Sequence, residues 1–190
     1  MSGSVPLASL WLPMVLSAVL LQIVSFVTYM VLKLHKDDWK GVPDQQALRD
    51  ALRRQNLAPG QYVVPFHCDP NDMKRPEVVK EYVDGPNALM IVAPSGVPPF
   101  GRNLGLMLIY YLVVSFFVAY VLAHTVAPGT PYLEVFRVAG TVAFLAYGAA
   151  TIPDTIWYSR PAGVTIRGLI DALLWGCVTA GTFGAFWPKI

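Results

Sequence analysis

The chain has 190 residues, of which 55% are hydrophobic and only 14% are charged. Soluble domains carry roughly 25% charged residues, so this composition favours a membrane protein. A formal net charge of +2, without any dense basic run, argues against a nucleic-acid partner. The two cysteines, Cys68 and Cys177, lie in a polar and in an apolar stretch, which argues against a disulfide between them.

Four apolar stretches reach the length of about 20 residues that a helix needs to cross a bilayer. They are Leu7 to Leu32, Asn103 to Ala123, Tyr132 to Ala150 and Val164 to Trp187. The first stretch is longer than the apolar core of a signal peptide and follows no basic residue, so we predict a retained helix. The sequence therefore predicts an α-helical membrane protein with four spans, one in residues 1–32 and three in residues 103–190.

The distribution of basic residues predicts the orientation of these spans. Most of the Lys and Arg residues lie in the segment 33–102, whereas none precedes residue 33 and none lies in the loop 124–132. By the positive-inside rule, both termini are expected outside and the segment 33–102 in the cytoplasm.

The segment 33–102 is too long for a plain loop, and its pattern predicts a small α+β insert. Asp44 can cap a helix over "QQALRDALRRQN", and Pro76 can begin a short helix that ends at Asp84-Gly85. The stretches 61–66 and 88–94 are typical of short strands, although extended loop is the alternative. A lone two-stranded sheet is marginal in water, so we expect the insert to pack on its helix, the membrane face or a partner.

Charged residues occur at the start of the fourth span, in "TIRGLIDALLWGCVTAGTFGAFW". Arg167 and Asp171 are four residues apart on one helical face, where they can satisfy each other. Asp154, at the predicted inner end of the third span, can join them. These three residues predict either a static clamp between helices or a proton or ion relay.

Two further features of the spans predict helix contacts. Gly176, Ala180 and Gly184 recur every four residues and form a small-residue stripe for close helix packing. This stripe can hold the bundle together or receive a foreign helix. Glu134 and Arg137 are i,i+3 neighbours at the predicted outer end of the third span, and we expect them to pair.

The densest set of potential metal ligands is "FHCDPND", which contains His67, Cys68 and Asp72. Imidazole, thiolate and carboxylate together can bind zinc or another divalent metal. The paired spacing of a structural zinc site is absent from the sequence, and Asp69-Pro70-Asn71-Asp72 is typical of a turn, which we favour.

The run "LHKDDW" directly follows the first span and places His35, Asp37 and Asp38 at the predicted cytoplasmic surface. This trio can form an ion or proton entry site, since histidine titrates near neutral pH. A solvated junction that ends the helix is the interpretation we favour.

The sequence contains no phosphate-binding glycine loop, HExxH helix or G-x-S-x-G elbow, which argues against an enzyme without excluding one. No cofactor is predicted. The runs "APGQY", "HTVAPGT", "VFRVAGTVAFLAYG" and "TAGTFGAFWP", together with the layout of spans and insert, resemble uncharacterised bacterial integral membrane proteins of about this size. The resemblance implies four helices in a bacterial cytoplasmic (inner) membrane and no established catalytic residues.

Three functions are compatible with these patterns. The leading hypothesis is an accessory or scaffold membrane protein whose partners are the lipid bilayer and another membrane protein or a second copy of itself. The alternative is a small proton- or ion-coupled transporter that uses Asp154 and Asp171. The third is a metal-dependent membrane enzyme or sensor at His67, Cys68 and Asp72.

Overall fold

The computed structural model describes residues 5–189, and within them the chain is mostly helical. Four helices are long and apolar enough to cross a bilayer: Leu7–Val31, Phe100–Thr125, Tyr132–Trp157 and Ala162–Ala185. Together with a small two-stranded sheet between the first two of them, these helices confirm the four long apolar helices of the predicted fold and the sheet predicted between them.

The chain order of the regular elements follows the predicted plan closely. The elements are α1 (Trp11–Phe26), α2 (Gln45–Gln55), β1 (Gly60–Val64), α3 (Pro76–Asp84), β2 (Ala88–Val92), α4 (Phe100–Thr125), α5 (Tyr132–Gly148), α6 (Ile152–Trp157) and α7 (Ala162–Ala185). A 3-10 turn, Leu7–Leu10, leads into α1, and a π-helical turn, Val27–Val31, continues it. Another 3-10 turn, Ala149–Thr151, joins α5 to α6, so the third span extends beyond the predicted end at Ala150.

The chain divides into two compact units, one formed by residues 1–39 and 99–190 and the other by residues 40–98. We call them the span unit and the insert unit. The predicted insert, 33–102, extends beyond this unit at both ends, because residues 33–39 and 99–102 belong to the span unit.

Local signals explain the elements of the insert unit. The Asp44 carboxylate accepts a hydrogen bond of 2.8 Å from the backbone N–H of Ala47 and so caps α2. Helix α3 begins at Pro76, where a missing N–H costs nothing, and ends at Gly85, whose φ of 58° favours glycine. Strands β1 and β2 pair antiparallel, with Tyr62 opposite Met90. The predicted α+β insert is confirmed.

Buried polar and aromatic contacts join the helices of the span unit. The hydroxyls of Ser17 in α1 and Ser115 in α4 are 2.8 Å apart and form a buried hydrogen bond. The rings of Tyr111, Tyr147 and Trp175, from three different helices, meet edge to face with centroids 5.6–6.1 Å apart. These contacts place the core of the unit where α1, α4, α5 and α7 converge.

The small-residue stripe of α7 packs against α5 of the same chain. A Cβ placed on Gly176 would lie 3.3 Å from the backbone oxygen of Gly140, and one placed on Gly140 would lie 3.3 Å from the Cβ of Ala180. A Cβ on Gly184 would overlap the ring of Tyr132 at 2.7 Å. Of the two roles predicted for the stripe, the structure shows the internal one, in which it holds the bundle together.

Candidate functional site

The backbone after the first span turns back on itself and carries a histidine with it. Lys33 adopts a left-handed φ of 50°, and the N–H of Leu34 donates to the carbonyl of Thr28 at 3.2 Å. The turn is continued by a bond of 3.1 Å from the N–H of Asp38 to the carbonyl of His35. As a result the imidazole of His35 stacks on the ring of Tyr29, with centroids 4.2 Å apart and planes 7° from parallel.

His35 lies between two carboxylates. Its Nδ1 is 2.7 Å from Oδ2 of Asp38, and its Nε2 is 2.7 Å from Oδ2 of Asp171 in α7. The first contact is a hydrogen bond. The second is as short, but its angles depart from those of a hydrogen bond, so we describe it as an ion contact. The three side chains are only 11%, 9% and 4% exposed.

Arg167 completes the cluster from the first turns of α7. Its guanidinium donates to Oδ1 of Asp38 from Nε, and its second terminal nitrogen contacts the same oxygen. Asp38 thus uses one oxygen for His35 and the other for Arg167. We call Tyr29, His35, Asp38, Arg167 and Asp171 the His35 cluster. It ties the turn after the first span to the start of the fourth span, 129 residues away in sequence.

The charges of the His35 cluster balance when the imidazole is protonated, because two carboxylates then face one guanidinium and one imidazolium. A neutral imidazole has a single N–H and can donate to only one carboxylate. The second carboxylate then faces the lone pair of the other ring nitrogen, unless Asp171 holds a proton. The hydrogen bond from His35 holds the pKa of Asp38 below its ordinary value; Arg167 acts in the same direction and partial burial opposes both. The cluster can therefore hold one proton between His35 and Asp171.

The predicted clamp is rearranged in the structure. In the described part of the chain, Arg167 pairs with Asp38 rather than with Asp171, and Asp171 contacts His35. Asp154 takes no part in the cluster, since it pairs with Arg160 at 3.3 Å on the exposed surface of α6. The spacing of Arg167 and Asp171 correctly predicted that both lie on α7. Their partners, however, are Asp38 and His35, which lie outside the spans.

His35 and Asp38 were assigned to a solvated junction, and that interpretation was wrong for both. Only Asp37, the third member of that trio, is exposed. The missed signal was the need of Asp171 for a partner at the depth of the first helical turns, which the imidazole of His35, a few residues after the end of the first span, can meet.

The other charged pair predicted in the spans is not formed. Glu134 and Arg137 are both exposed, and no ion pair joins them in the described part of the chain. The spacing made them neighbours on α5, but exposed side chains of this length gain little from pairing.

The candidate metal ligands of the insert unit do not converge. His67 is 3.0 Å from Glu81 and 3.9 Å from Asp72, while Cys68 is exposed. Among residues 5–189, no group of three His, Cys, Asp or Glu side chains is arranged to hold a metal ion. Asp69 instead accepts a hydrogen bond from the N–H of Asn71 at 2.8 Å, which is the predicted turn.

Comparison of the chain with protein-family models, with curated proteins and with solved structures gives no match in any of the three. The function therefore has to be inferred from the geometry of the two units themselves.

Proposed function

We propose that this chain is an accessory or scaffold protein of a bacterial cytoplasmic membrane. In this proposal the span unit is an anchor, and the insert unit, on the cytoplasmic side, contacts a partner membrane protein or a second copy of the chain. The observation that carries the proposal is the weak core of the insert unit. Of its 59 residues, all of them described, Val78 alone is fully buried.

The apolar side chains of the insert unit are mostly on its surface. Val83 on α3 and Ile91 on β2 are each 78% exposed, and Val97 is 93% exposed. The sheet has only two strands, so its outer edges are unpaired within the unit, and the face that carries Gln61, Leu89 and Ile91 is largely exposed. Burial of exposed apolar side chains against a partner is favourable, so we infer that these positions belong to the contact surface.

The contacts within the span unit also support the proposed accessory role. Its small-residue stripe is filled by α5, and its His35 cluster fixes the chain two residues before the insert unit begins at Lys40. A bundle closed in this way is suited to anchoring.

The experiment is purification of the tagged chain from its own host at native expression, followed by mass spectrometry of accompanying proteins and determination of stoichiometry. Ile91→Asp places a charge on the exposed face of β2 and is expected to abolish a stoichiometric complex. Gln55→Asp places the same charge on the exposed end of α2 and is the matched control. A monomeric protein without a stoichiometric companion would contradict the proposal.

A second candidate function, proton-coupled transport, is favoured by one contact. The short distance between His35 and the largely buried Asp171 provides a site where a proton can be held within a span. The exposed pair of Asp154 and Arg160 offers no such site, so His35 replaces Asp154 in this candidate.

Asp171→Asn separates the two functions. A relay predicts a normal yield of folded protein with loss of proton flux in proteoliposomes, because the amide keeps the shape but cannot carry the charge. A structural clamp predicts a lower folded yield. Asp154→Asn is the control and is expected to change neither quantity.

A further inference from the structure

Helix α2 of the insert unit is amphipathic, and its apolar face is only partly covered by the rest of the described chain. The apolar side chains, Ala47, Leu48, Ala51 and Leu52, recur at helical spacing along one face. Leu48 is 45% exposed, none of the eleven residues of α2 is buried, and no other described helix or strand packs extensively against it. An isolated helix of about this length is marginal in water, so α2 needs packing on its apolar face for stability.

Basic residues border the apolar face of α2 on both sides. Arg49 comes three residues before Leu52, and Arg54 comes three residues after Ala51, so each lies beside the apolar side chains on one edge of the face. Neither of these arginines has an acidic partner among the described residues, whereas Arg53, on the opposite side of the helix, pairs with an aspartate of the same helix at 2.8 Å. Two cationic groups are therefore available at the boundary of an apolar surface.

The positive charge of the insert unit is concentrated in α2. Residues 40–98 contain seven Lys or Arg residues and seven Asp or Glu residues, of which α2 holds three and one, so the rest of the unit is net acidic. An anionic surface would therefore attract α2 and repel the remainder of the unit. This asymmetry favours an anionic partner for α2 and not for the strands.

The surface of a bilayer is within reach of α2. The helix begins six residues after Trp39, a distance that an extended chain spans in at most about 22 Å. Trp39 belongs to the span unit and is 90% exposed. An exposed tryptophan a few residues beyond an apolar helix is typical of the headgroup region of a membrane. A helix that begins this soon after a span can contact the lipid surface.

From these observations we propose that α2 lies in the plane of the membrane surface and binds anionic phospholipid headgroups. Leu48 and Leu52 would be buried at the boundary of headgroups and acyl chains, and Arg49 and Arg54 would contact the lipid phosphates, while the opposite face stays in water. The strand face with Ile91 remains available for protein contacts. The inference therefore goes beyond the proposed accessory role and can hold or fail independently of it.

The first test is hydrogen exchange of the intact purified chain in nanodiscs of two lipid compositions. One contains phosphatidylcholine alone, and the other is a mixture of phosphatidylcholine with anionic phosphatidylglycerol. We expect the amides of α2 to exchange about tenfold more slowly in the anionic discs, because docking stabilises the helix, and those of α3 to exchange equally in both. Equal exchange of α2 in the two compositions would overturn the proposal and would make the groove of a partner protein the alternative occupant.

The second test compares two pairs of charge-removing substitutions. Arg49→Gln with Arg54→Gln removes both cations at the edges of the apolar face, and each contributes roughly fivefold to docking on an anionic surface, so the slower exchange of α2 in anionic discs should disappear. Lys74→Gln with Lys80→Gln removes the same charge from exposed positions elsewhere in the insert unit and should preserve it. Equal effects of the two pairs would refute the assigned face. Ile91→Asp, which tests the accessory role, should leave the exchange of α2 unchanged.

Discussion

The two units of this chain differ in how much of their apolar side chains they bury within themselves. The span unit has a continuous apolar core, internal helix packing through glycines and a charge cluster whose members face one another. The insert unit has the elements of a folded domain but a single fully buried residue, Val78. In a bilayer, lipid covers the outer faces of the helices, so the spans can expose apolar side chains at no cost. In water the insert has no such cover, which is why we assign partner contacts to it.

The most damaging change in the span unit should be a large side chain in the contact between α5 and α7. In Gly176→Leu the new side chain would have to occupy space 3.3–3.4 Å from backbone atoms of Gly140 and Phe144, which cannot move aside. We expect a loss of more than about 3 kcal/mol and little folded protein. Gly168→Leu, in the same helix with no heavy atom near its Cβ, is the control and should fold normally. Size-exclusion profiles and thermal unfolding in detergent measure both.

The next largest effect should come from removing one member of the His35 cluster. Asp171→Ala leaves His35 without its partner in α7, and we expect a loss of about 3 kcal/mol in unfolding free energy. Asp154→Ala removes an exposed partner of Arg160 and should cost less than about 1 kcal/mol.

A double-mutant cycle of Asp171→Ala with His35→Ala measures the coupling between the two side chains directly. Additive losses would show that the 2.7 Å contact contributes nothing to stability.

The sequence predicted the helices of the fold better than it predicted the contacts between them. Hydropathy alone located all four spans, and Asp44, Pro76 and Gly85 set the limits of the insert helices through local rules. The internal role of the stripe at Gly176 could be named only as one of two options, because composition does not say which helix fills a groove.

The contacts of the His35 cluster were even harder to predict from the sequence. The sequence placed Arg167 and Asp171 on one face of a helix and predicted that they pair with each other. Their actual partners, Asp38 and His35, come from a turn more than 120 residues earlier, which the left-handed backbone at Lys33 folds back. No periodicity in the sequence records such a tertiary contact, so the partners could be found only in the structure.

In the insert unit, two valines on one short helix test whether its single buried residue acts as a core. Val78→Ala should destabilise the unit by about 1–2 kcal/mol, because it opens a small cavity. Val83→Ala, at an exposed position of α3, should change stability by less than about 0.5 kcal/mol. Both changes gain the same helix propensity, so their difference isolates burial. Hydrogen exchange of residues 40–98 in the intact chain is the measurement, and equal effects would mean that the unit has no core of its own.

The smallest expected effect concerns pH and separates two neighbouring aspartates at the boundary between the units. Because His35 and Arg167 lower the pKa of Asp38 in the folded state, the stability that this carboxylate adds is present at neutral pH and is lost as the pH falls below about 4 toward that lowered value. The Tm difference between wild type and Asp38→Asn in detergent should therefore be largest near pH 7 and shrink on acidification. Asp37→Asn, at an exposed site, should show a small difference at every pH. A gap for Asp38→Asn that stays constant from pH 7 to pH 3 would mean that the ionised carboxylate is not what holds the turn to α7.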